Sequence, residues 1–408
     1  MLSNPKRAWP MKRVLFVINT LGVGGAERAL LELLDSLDSG AYAIDLHVLL
    51  PRGEMAAQVP GHVRVLNRRL DSRSVLDGAG RRALAREVLA CFFRNGGWLG
   101  KLGGVLRALP DMIRRRRVQP DKLLWRVVSD GAVRPEGTYD VAVAWSEGGA
   151  AYFVADHVQA EKKLAVVHID YEQSGYTRAL DQDCWAQFQR IFLVSEEIRA
   201  PFLRVYPEYG DRVRELPNLV NQEKIRRRAR EPGGFSDGYE GMRLLSVGRL
   251  IYQKAFDVAI DAMKLLKDTG YHARWYVLGE GDLRGSLERK IAALGLQEDF
   301  LLLGTVENPY PYYAQADVYV HATRFEGRSV AIQEALTLGC AVVLSDASGN
   351  RCQINHNREG ILCALEPEAV AQAVGLLLDD PSLRKRLGAA AMKKKTPDSG
   401  VTVLLSEF

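Results

Sequence analysis

Apolar and polar positions along the chain predict two successive series of alternating strands and helices. Residues 13–19 form a largely apolar, β-branched run, which is typical of a strand buried on both faces of a parallel sheet. A glycine-rich loop, the helical spacing of 29–37 and a second apolar run at 44–50 follow it. This order predicts a β–α–β unit, and the same alternation continues to about residue 216.

The alternation stops at 217–240 and restarts at 243. The pattern predicts an α/β protein with two doubly wound, Rossmann-like domains that face each other across a cleft. We place the N-terminal domain at 1–216, a linker at 217–240, the C-terminal domain at 241–392 and a tail at 393–408. Ligands of doubly wound sheets bind at the carboxyl ends of the strands, so we expect the site in the cleft. The tail is short and polar, which leaves open whether it returns to the N-terminal domain.

Composition narrows the class of protein. The 408 residues are 47% hydrophobic and 26% charged, which are values of an ordinary globular chain. The five cysteines form no CxxC pair, so neither a disulfide framework nor a zinc cluster is expected. No apolar stretch approaches the ~18 residues that a membrane span needs, and no apolar signal core follows the polar start. We therefore expect a cytoplasmic, metal-poor protein.

The positive charge is concentrated in one segment. Residues 81–128 contain twelve basic and three acidic residues, and their apolar residues recur at helical spacing. A basic, amphipathic helical stretch can lie on an anionic membrane surface, and a solvated helix face over an ordinary core is the simpler alternative. Nucleic-acid binding is not expected because no recognised nucleic-acid module accompanies the charge. We predict a helical insertion at 81–128 that contacts an anionic membrane.

Two groups of residues at predicted strand ends are suited to binding phosphates. Gly24 and Gly25 lie in a strand-to-helix turn, where the backbone can approach a phosphate and the helix N-terminus attracts an anion. Residue 27 is Glu, so the loop lacks the dinucleotide fingerprint, and a tight turn without a ligand is the alternative. In the second half, Gly248, Arg249 and Lys254 follow a strand, and the two cations can reach one diphosphate. Ordinary surface charges near a turn would show the same pattern.

A third group combines a glycine turn with two carboxylates. Gly279 and Glu280 lie in a turn that is compatible with a base or ribose against the backbone. Glu326 and Glu334 are eight residues apart, one before a predicted helix and the other on it. Their carboxylates could accept hydrogen bonds from sugar and ribose hydroxyls. Spacing alone favours the simpler explanation of one exposed and one capping glutamate.

Together these motifs resemble those of the family 4 glycosyltransferases, in order and in spacing, over about residues 12–390. The motifs lie at 24–28, at 247–249 with Lys254, at 278–281 and at 326–335. The resemblance implies a GT-B fold, with an acceptor-binding N-terminal domain and a C-terminal domain that binds a nucleotide-sugar. It also implies retention of the anomeric configuration, no required metal, and no cofactor besides the NDP-sugar donor, for which UDP is favoured.

The resemblance also implies roles for individual residues. Arg249 and Lys254 would neutralise the donor diphosphate, Glu326 would face the transferred sugar, and Glu334 would bind the ribose. His168 matches a histidine near the family's reaction centre, and an ordinary core or turn histidine is the alternative. The catalytic candidates are therefore Glu326, His168, Arg249 and Lys254. The candidates for donor binding are Gly24, Gly25, Gly248, Gly279, Glu280, Gly327, Arg328, Ser329, Val330 and Glu334.

The family's usual mechanism is front-face displacement, in which a diphosphate oxygen helps to deprotonate the acceptor. No carboxylate of this chain clearly matches a covalent nucleophile. Arg328 replaces an aromatic residue that is common in the family, which changes the expected contacts to the sugar or acceptor. Asp181 and Asp183 form a DxD, the metal motif of the other main glycosyltransferase fold. Because they fall in a helical pattern, which predicts a helix at 181–189 away from the donor motifs, we interpret them as a surface coincidence.

The leading prediction is a retaining hexosyltransferase or N-acetylhexosaminyltransferase of cell-surface polysaccharide biosynthesis. Its acceptor would be a lipid-linked saccharide at the inner face of the cell membrane, to which the protein would bind peripherally through 81–128. One alternative is a UDP-sugar 2-epimerase with a GT-B fold. The other is a catalytically silent, membrane-associated binding module, against which the complete set of donor motifs argues.

Overall fold

The computed structural model describes residues 11–73, 78–96, 120–394 and 400–408, together with residues 110 and 113. Within these residues the strands form two sheets in which every pairing is parallel. The first sheet has the order β3-β2-β1-β4-β5-β6-β7, with β1 Lys12–Ile18, β2 Tyr42–Val48, β3 Arg64–Val65, β4 Tyr139–Ala144, β5 Ala160–Val167, β6 Arg190–Leu193 and β7 Val213–Glu215. The second has the order β10-β9-β8-β11-β12-β13, with β8 Met242–Val247, β9 Ala273–Leu278, β10 Phe300–Gly304, β11 Val318–His321, β12 Ala341–Ser345 and β13 Ile361–Cys363.

Helices connect these strands. Numbered within the described residues, they are α1 Gly25–Ser36, α2 Gly78–Phe93, α3 Pro120–Gly131, α4 Gly149–His157, α5 Arg178–Asp181, α6 Arg199–Val205, α7 Gln222–Arg228, α8 Phe256–Asp268, α9 Arg284–Ala293, α10 Tyr310–Gln315, α11 Val330–Thr337, α12 Ser348–Arg351, α13 Pro367–Asp379, α14 Pro381–Lys393 and α15 Gly400–Leu405. Short 3₁₀ turns occur at Glu54–Gln58, Cys184–Gln187, Glu196–Ile198, Pro207–Arg212 and Tyr252–Lys254. The predicted α/β architecture with two doubly wound parallel sheets is confirmed.

The central strands are buried on both faces, as their continuous apolar runs predict. In β1, residues 14–18 are at most 1% exposed. This strand pairs with β2 on one side and β4 on the other, so that Phe16 lies between Leu46 and Val143. Each sheet has its own core of aliphatic and aromatic side chains. The carboxyl ends of the strands of both sheets reach the cleft between them.

The C-terminal tail returns to the first sheet, which answers the question that the sequence left open. Leu404 of α15 is fully buried in the core of that sheet. Glu407 forms ion pairs with Lys162 of β5 at 3.3 Å and Arg190 of β6 at 2.7 Å. The Phe408 ring lies 5.5 Å from that of Tyr42. The nine residues 400–408 are sufficient for this return, because the apolar side chains of Leu404 and Phe408 and the carboxylate of Glu407 meet partners that the sheet already presents.

The predicted helix at 181–189 and the surface interpretation of Asp181 are both wrong. Helix α5 ends at Asp181 because Gln182 and Asp183 adopt left-handed backbone conformations, with φ of 46° and 60°, and a 3₁₀ turn follows. Asp181 is fully buried, and three tyrosine hydroxyls donate to its carboxylate (Tyr152, Tyr171 and Tyr206). Burial raises the pKa of Asp181 above its usual value, although the hydrogen bonds from these hydroxyls act to lower it. This aspartate is a satisfied polar group of the core.

Only part of the basic segment 81–128 falls within the described residues. Helix α2 packs against α3, and Gly131 permits the contact because an added Cβ would lie 2.0 Å from the carbonyl oxygen of Cys91. The four arginines at 114–117 lie outside the described residues. Among the helices that are described, none combines the length and the apolar character required to cross a bilayer.

Candidate active site

The predicted site residues meet in one cleft of about 340 Å³ between the two sheets. The N-terminal half contributes the start of α1 and the end of β5. The second half contributes the ends of β8 and β9 and the loop before α11. The predicted residues that line the cleft are Gly24, Gly25, His168, Gly248, Arg249, Lys254, Gly279, Glu280, Glu326, Arg328, Ser329, Val330 and Glu334. Their roles in binding or catalysis remain predictions.

Gly327 is the predicted site residue that does not line the cleft. A Cβ at this position would lie 2.0 Å from the carbonyl oxygen of His168, so only glycine allows the two halves to approach this closely. The Gly327 carbonyl accepts a hydrogen bond from the Ser195 hydroxyl at 2.9 Å. The Asn218 amide donates to the carbonyl of Arg328 at 3.0 Å. The loop 326–329 is therefore clamped to the N-terminal half through Ser195 and to the linker through Asn218.

Glu326 is buried and ionised. Its side chain forms an ion pair with Lys254, and Gln253 Nε2 lies 3.4 Å from its second oxygen. Burial alone would raise the pKa of Glu326, but Lys254 and His321 lower it to about 2. The residue is 8% exposed, so the simpler explanation of an exposed glutamate is wrong. A fixed carboxylate at the cleft wall is suited to accepting hydrogen bonds from sugar hydroxyls.

His321 contacts Glu326 on the side away from the cleft, and no role is predicted for it from the sequence. Its Nε2 lies 3.4 Å from Glu326 Oε2, and its Nδ1 lies 3.0 Å from the Tyr319 hydroxyl. If the Tyr319 hydroxyl donates to Nδ1, a neutral imidazole carries its proton on Nε2. This N–H then donates to the carboxylate of Glu326. Burial lowers the pKa of His321 and favours this neutral form. The feature of the sequence that could have identified this residue is a histidine at the end of an apolar strand.

Glu334 is more deeply buried than Glu326, with 2% exposure, so it is not exposed either. It forms an ion pair with Arg28 of α1, from the opposite half of the chain. The hydroxyls of Tyr310 and Tyr313 donate to its two oxygens at 3.2 and 3.1 Å. Burial acts to lower the pKa of Arg28, but Glu334 and the tyrosines raise it. Arg28 lies in the predicted motif at 24–28, yet no role was assigned to it.

The two cations differ in how they are paired. Lys254 is held by Glu326, whereas Arg249 is exposed and forms no ion pair with any carboxylate of the described residues. Across the cleft, burial raises the pKa of Glu27, and Arg249 lowers it. Close packing of Gly279 on Gly248 brings the ends of β8 and β9 together, since an added Cβ would lie 2.0 Å from the Gly248 oxygen. An unpaired guanidinium beside a lysine is suited to binding a diphosphate.

Helix α11 begins at the floor of the cleft. Val330 and Ser329 line the cleft, and the Ser329 side chain does not cap the helix. The free N–H groups of a first turn and the helix dipole favour an anion at this position. Arg328 extends the other way, toward the N-terminal half, where it lies 3.5 Å from Glu215. Its guanidinium is therefore turned toward β7, although other atoms of the residue line the cleft.

His168 lies at the end of β5, on the N-terminal side of the cleft. Its ring packs on Trp145 with centroids 5.5 Å apart, and its backbone N–H donates to Glu147 at 3.0 Å. Burial lowers the pKa of His168 to about 4, so the imidazole is neutral near pH 7. Within the described part of the chain, its buried Nε2 has no hydrogen-bond partner. This atom can therefore bond a ligand hydroxyl.

Among the described residues, no group of three or more His, Cys, Asp or Glu side chains is arranged to hold a metal ion.

Residues 239–394 match the family model described as glycosyl transferases group 1. A Campylobacter jejuni relative is 36% identical over 172 residues, or 42% of this chain and 45% of its own, and is named N-acetylgalactosamine-N,N'-diacetylbacillosaminyl-diphospho-undecaprenol 4-alpha-N-acetylgalactosaminyltransferase. The amylovoran biosynthesis glycosyltransferase AmsK of Erwinia amylovora is 34% identical over 34% of this chain and 36% of its own. The matched part thus spans less than half the length of each relative.

Solved structures resemble nearly the whole chain. The structure of Anabaena Alr3699/HepE in complex with UDP-glucose has a TM-score of 0.65 at 14% identity, covering 93% of both chains. Sucrose-phosphate synthase from Thermosynechococcus elongatus has a TM-score of 0.64 at 14% identity, covering 96% of this chain and 94% of its own. The fold is GT-B, with two Rossmann-like sheets that face each other across the cleft.

Proposed function

We propose that this chain, whose residues 239–394 match the family model of the glycosyl transferases group 1, transfers a sugar from a nucleoside diphosphate sugar to an acceptor hydroxyl. One observation carries the proposal: a single cleft contains the unpaired Arg249, Lys254, the ionised Glu326 and the uncapped start of α11. A diphosphate leaving group needs compensation of the charge that it gains, which the cations and the helix supply. A hexosyl or N-acetylhexosaminyl group is the transferred unit that we propose.

The proposed reaction is a front-face displacement with retention of the anomeric configuration and without a required metal. The bond from the anomeric carbon to the diphosphate breaks while the acceptor oxygen approaches from the same face. A diphosphate oxygen takes the proton of that hydroxyl, so the nucleoside diphosphate leaves in protonated form. Glu326 holds sugar hydroxyls, and the neutral His168 bonds a hydroxyl near the reacting carbon. UDP is the favoured donor nucleotide, which the UDP-glucose bound in the Anabaena protein supports.

The acceptor that we propose is a lipid-linked saccharide of cell-surface polysaccharide biosynthesis. The name of the Campylobacter jejuni relative specifies an undecaprenol-linked acceptor, and that of the Erwinia amylovora relative specifies amylovoran biosynthesis. The first name supports a lipid-linked acceptor, and the second supports a biosynthetic glycosyltransferase. The acceptor would enter from the N-terminal half, where His168 and the start of α1 line the cleft.

A membrane-facing surface on α2 and α3 would bring the protein to such an acceptor at the inner face of the cell membrane. Leu89 and Phe93 of α2 are 59% and 66% exposed, and Leu124 of α3 is also exposed. Basic side chains, including Arg86, share these helices. Exposed apolar residues beside basic ones are suited to an anionic lipid surface, into which the apolar side chains insert. This arrangement supports peripheral membrane binding.

Product analysis tests the proposed reaction. The protein is incubated with UDP-glucose or UDP-N-acetylhexosamines and a lipid-linked saccharide, with and without EDTA, and products are separated by mass. We expect a saccharide extended by one sugar, with an α-linkage from an α-linked donor, and the same yield in EDTA. UDP and a free sugar formed without any acceptor would indicate the epimerase instead. Nucleotide binding without any product would favour the silent binding module.

Vesicle flotation tests the membrane surface separately. We expect the protein to float with vesicles that contain phosphatidylglycerol and phosphatidylcholine, and the double variant Leu89→Glu and Phe93→Glu to remain in solution. The control is Leu376→Glu, which changes an exposed leucine of α13. Equal flotation of all three proteins would contradict the role of α2.

A further inference from the structure

The contact between Arg28 and Glu334 suggests a second property of the donor site. The two residues belong to opposite halves of the chain, and both line the cleft. Resemblance to known glycosyltransferases predicts only that Glu334 binds the donor ribose. In the structure, Glu334 already has Arg28, Tyr310 and Tyr313 as donors.

The capacity of a carboxylate limits what Glu334 can bind at one time. Its two oxygens offer about four lone-pair sites, three of which are used. Two ribose hydroxyls that both donate would need two of these sites, so one present donor must leave. Tyr310 and Tyr313 are 5% and 1% exposed, and both are packed in the core of the second half. Arg28 is the partner that can leave, because its side chain is 19% exposed and reaches across the cleft.

Other contacts attach the same helix to the second half. Lys224 of α7 forms an ion pair with Glu32 of α1 at 2.7 Å, and it lies 3.7 Å from Asp35. Residues 28, 32 and 35 recur at helical spacing, so they share one face of α1. The contact of Arg28 is made with Glu334, a residue of the proposed donor site. The contacts of Lys224 are made with Glu32 and Asp35, which are not predicted donor-binding residues. Lys224 is therefore a matched control for the docking of α1.

We propose that Arg28 occupies the place on Glu334 that the donor ribose takes, so that donor binding displaces Arg28 and releases this contact of α1. The inference rests on the proposed function, because it requires a nucleotide whose ribose reaches Glu334. It assigns Arg28 as a positioning residue that competes with the ribose diol. By linkage, removal of Arg28 must strengthen the binding of any nucleotide that has to displace it.

The test compares dissociation constants measured by calorimetry for UDP, GDP and their 2′,3′-dideoxy analogues. In Arg28→Ala, we expect binding of the cognate ribonucleotide to tighten by at least about fivefold. Binding of the dideoxy analogue, which cannot bond Glu334, should change much less. Arg28→Gln retains an amide donor without the charge and should give an intermediate ratio, which also provides a folded variant if the alanine variant is unstable. Thermal unfolding checks that each variant is folded.

The control and the outcomes separate this inference from the proposed function. Lys224→Ala loosens the docking of α1 without touching Glu334, and it should leave the ratio of the two dissociation constants unchanged. An equal change of that ratio in Lys224→Ala, or no change in both Arg28 variants, would overturn the inference alone. If neither UDP nor GDP binds the wild-type protein, the proposed function fails and the inference fails with it.

Discussion

Replacing Gly327 by alanine should disable the cleft through a backbone clash. The added Cβ would lie 2.0 Å from the carbonyl oxygen of His168, whereas ordinary contacts begin at 3.4 Å. The loop or the end of β5 must therefore move by about 1.4 Å, and the obstacle is backbone, which cannot rotate away as a side chain can. Because Glu326 precedes this position, the displacement would move the carboxylate that we propose to face the sugar.

We expect kcat/KM of Gly327→Ala to fall by about 100-fold, because a misplacement of about 1 Å is known to cost this much. The free energy of unfolding should fall by about 1–3 kcal/mol, as for other overpacked sites. Steady-state transfer from UDP-sugar and urea unfolding measure the two effects. The control is Gly61→Ala, where an added Cβ would meet no atom within 4 Å. Activity of Gly327→Ala within threefold of wild type, together with unchanged stability, would refute the clamped loop.

Four further predictions concern the same site and the tail. Glu326→Gln should lower turnover at least about tenfold, since it removes the charge from the proposed sugar site; wild-type kcat would contradict the proposed role. The lowered pKa of Glu326, about 2 in the folded protein against 4.5 ordinarily, means that this carboxylate stabilises the fold above about pH 4.5 and loses that effect as the pH falls toward 2. The stability difference between wild type and Glu326→Gln should therefore be larger at pH 6 than at pH 3 in urea unfolding. His321→Gln should lower kcat more than it raises KM, because its hydrogen bond orients Glu326, and Tyr319→Phe should have a smaller effect in the same direction. Glu407→Gln should lower the free energy of unfolding by about 0.2–1 kcal/mol, since its ion pairs are partly exposed, and an unchanged midpoint of thermal unfolding would contradict a stabilising role of these ion pairs.

Local patterns determined the order of strands and helices. Continuous apolar runs predicted buried parallel strands, because burial on both faces of a sheet requires such runs. The break in the alternation after residue 216 predicted two separate sheets. The prediction failed at 181–189, where apolar spacing indicated one helix. Two left-handed residues interrupt it there, and tertiary burial of Asp181 among tyrosines holds that geometry. Local spacing cannot show this, because the partners come from distant parts of the chain.

The candidate site, too, could be predicted from the sequence only in part. The cleft residues at strand ends and helix starts could be predicted from the sequence, because parallel strands bring their carboxyl ends to one edge. Which side chains pair with these residues depends on the folded structure. His321 lies behind Glu326, Gly327 contacts His168, and Arg28 reaches Glu334 from the opposite half. Each of these contacts joins residues that are remote in sequence or that face each other only after folding, so no local pattern encodes them.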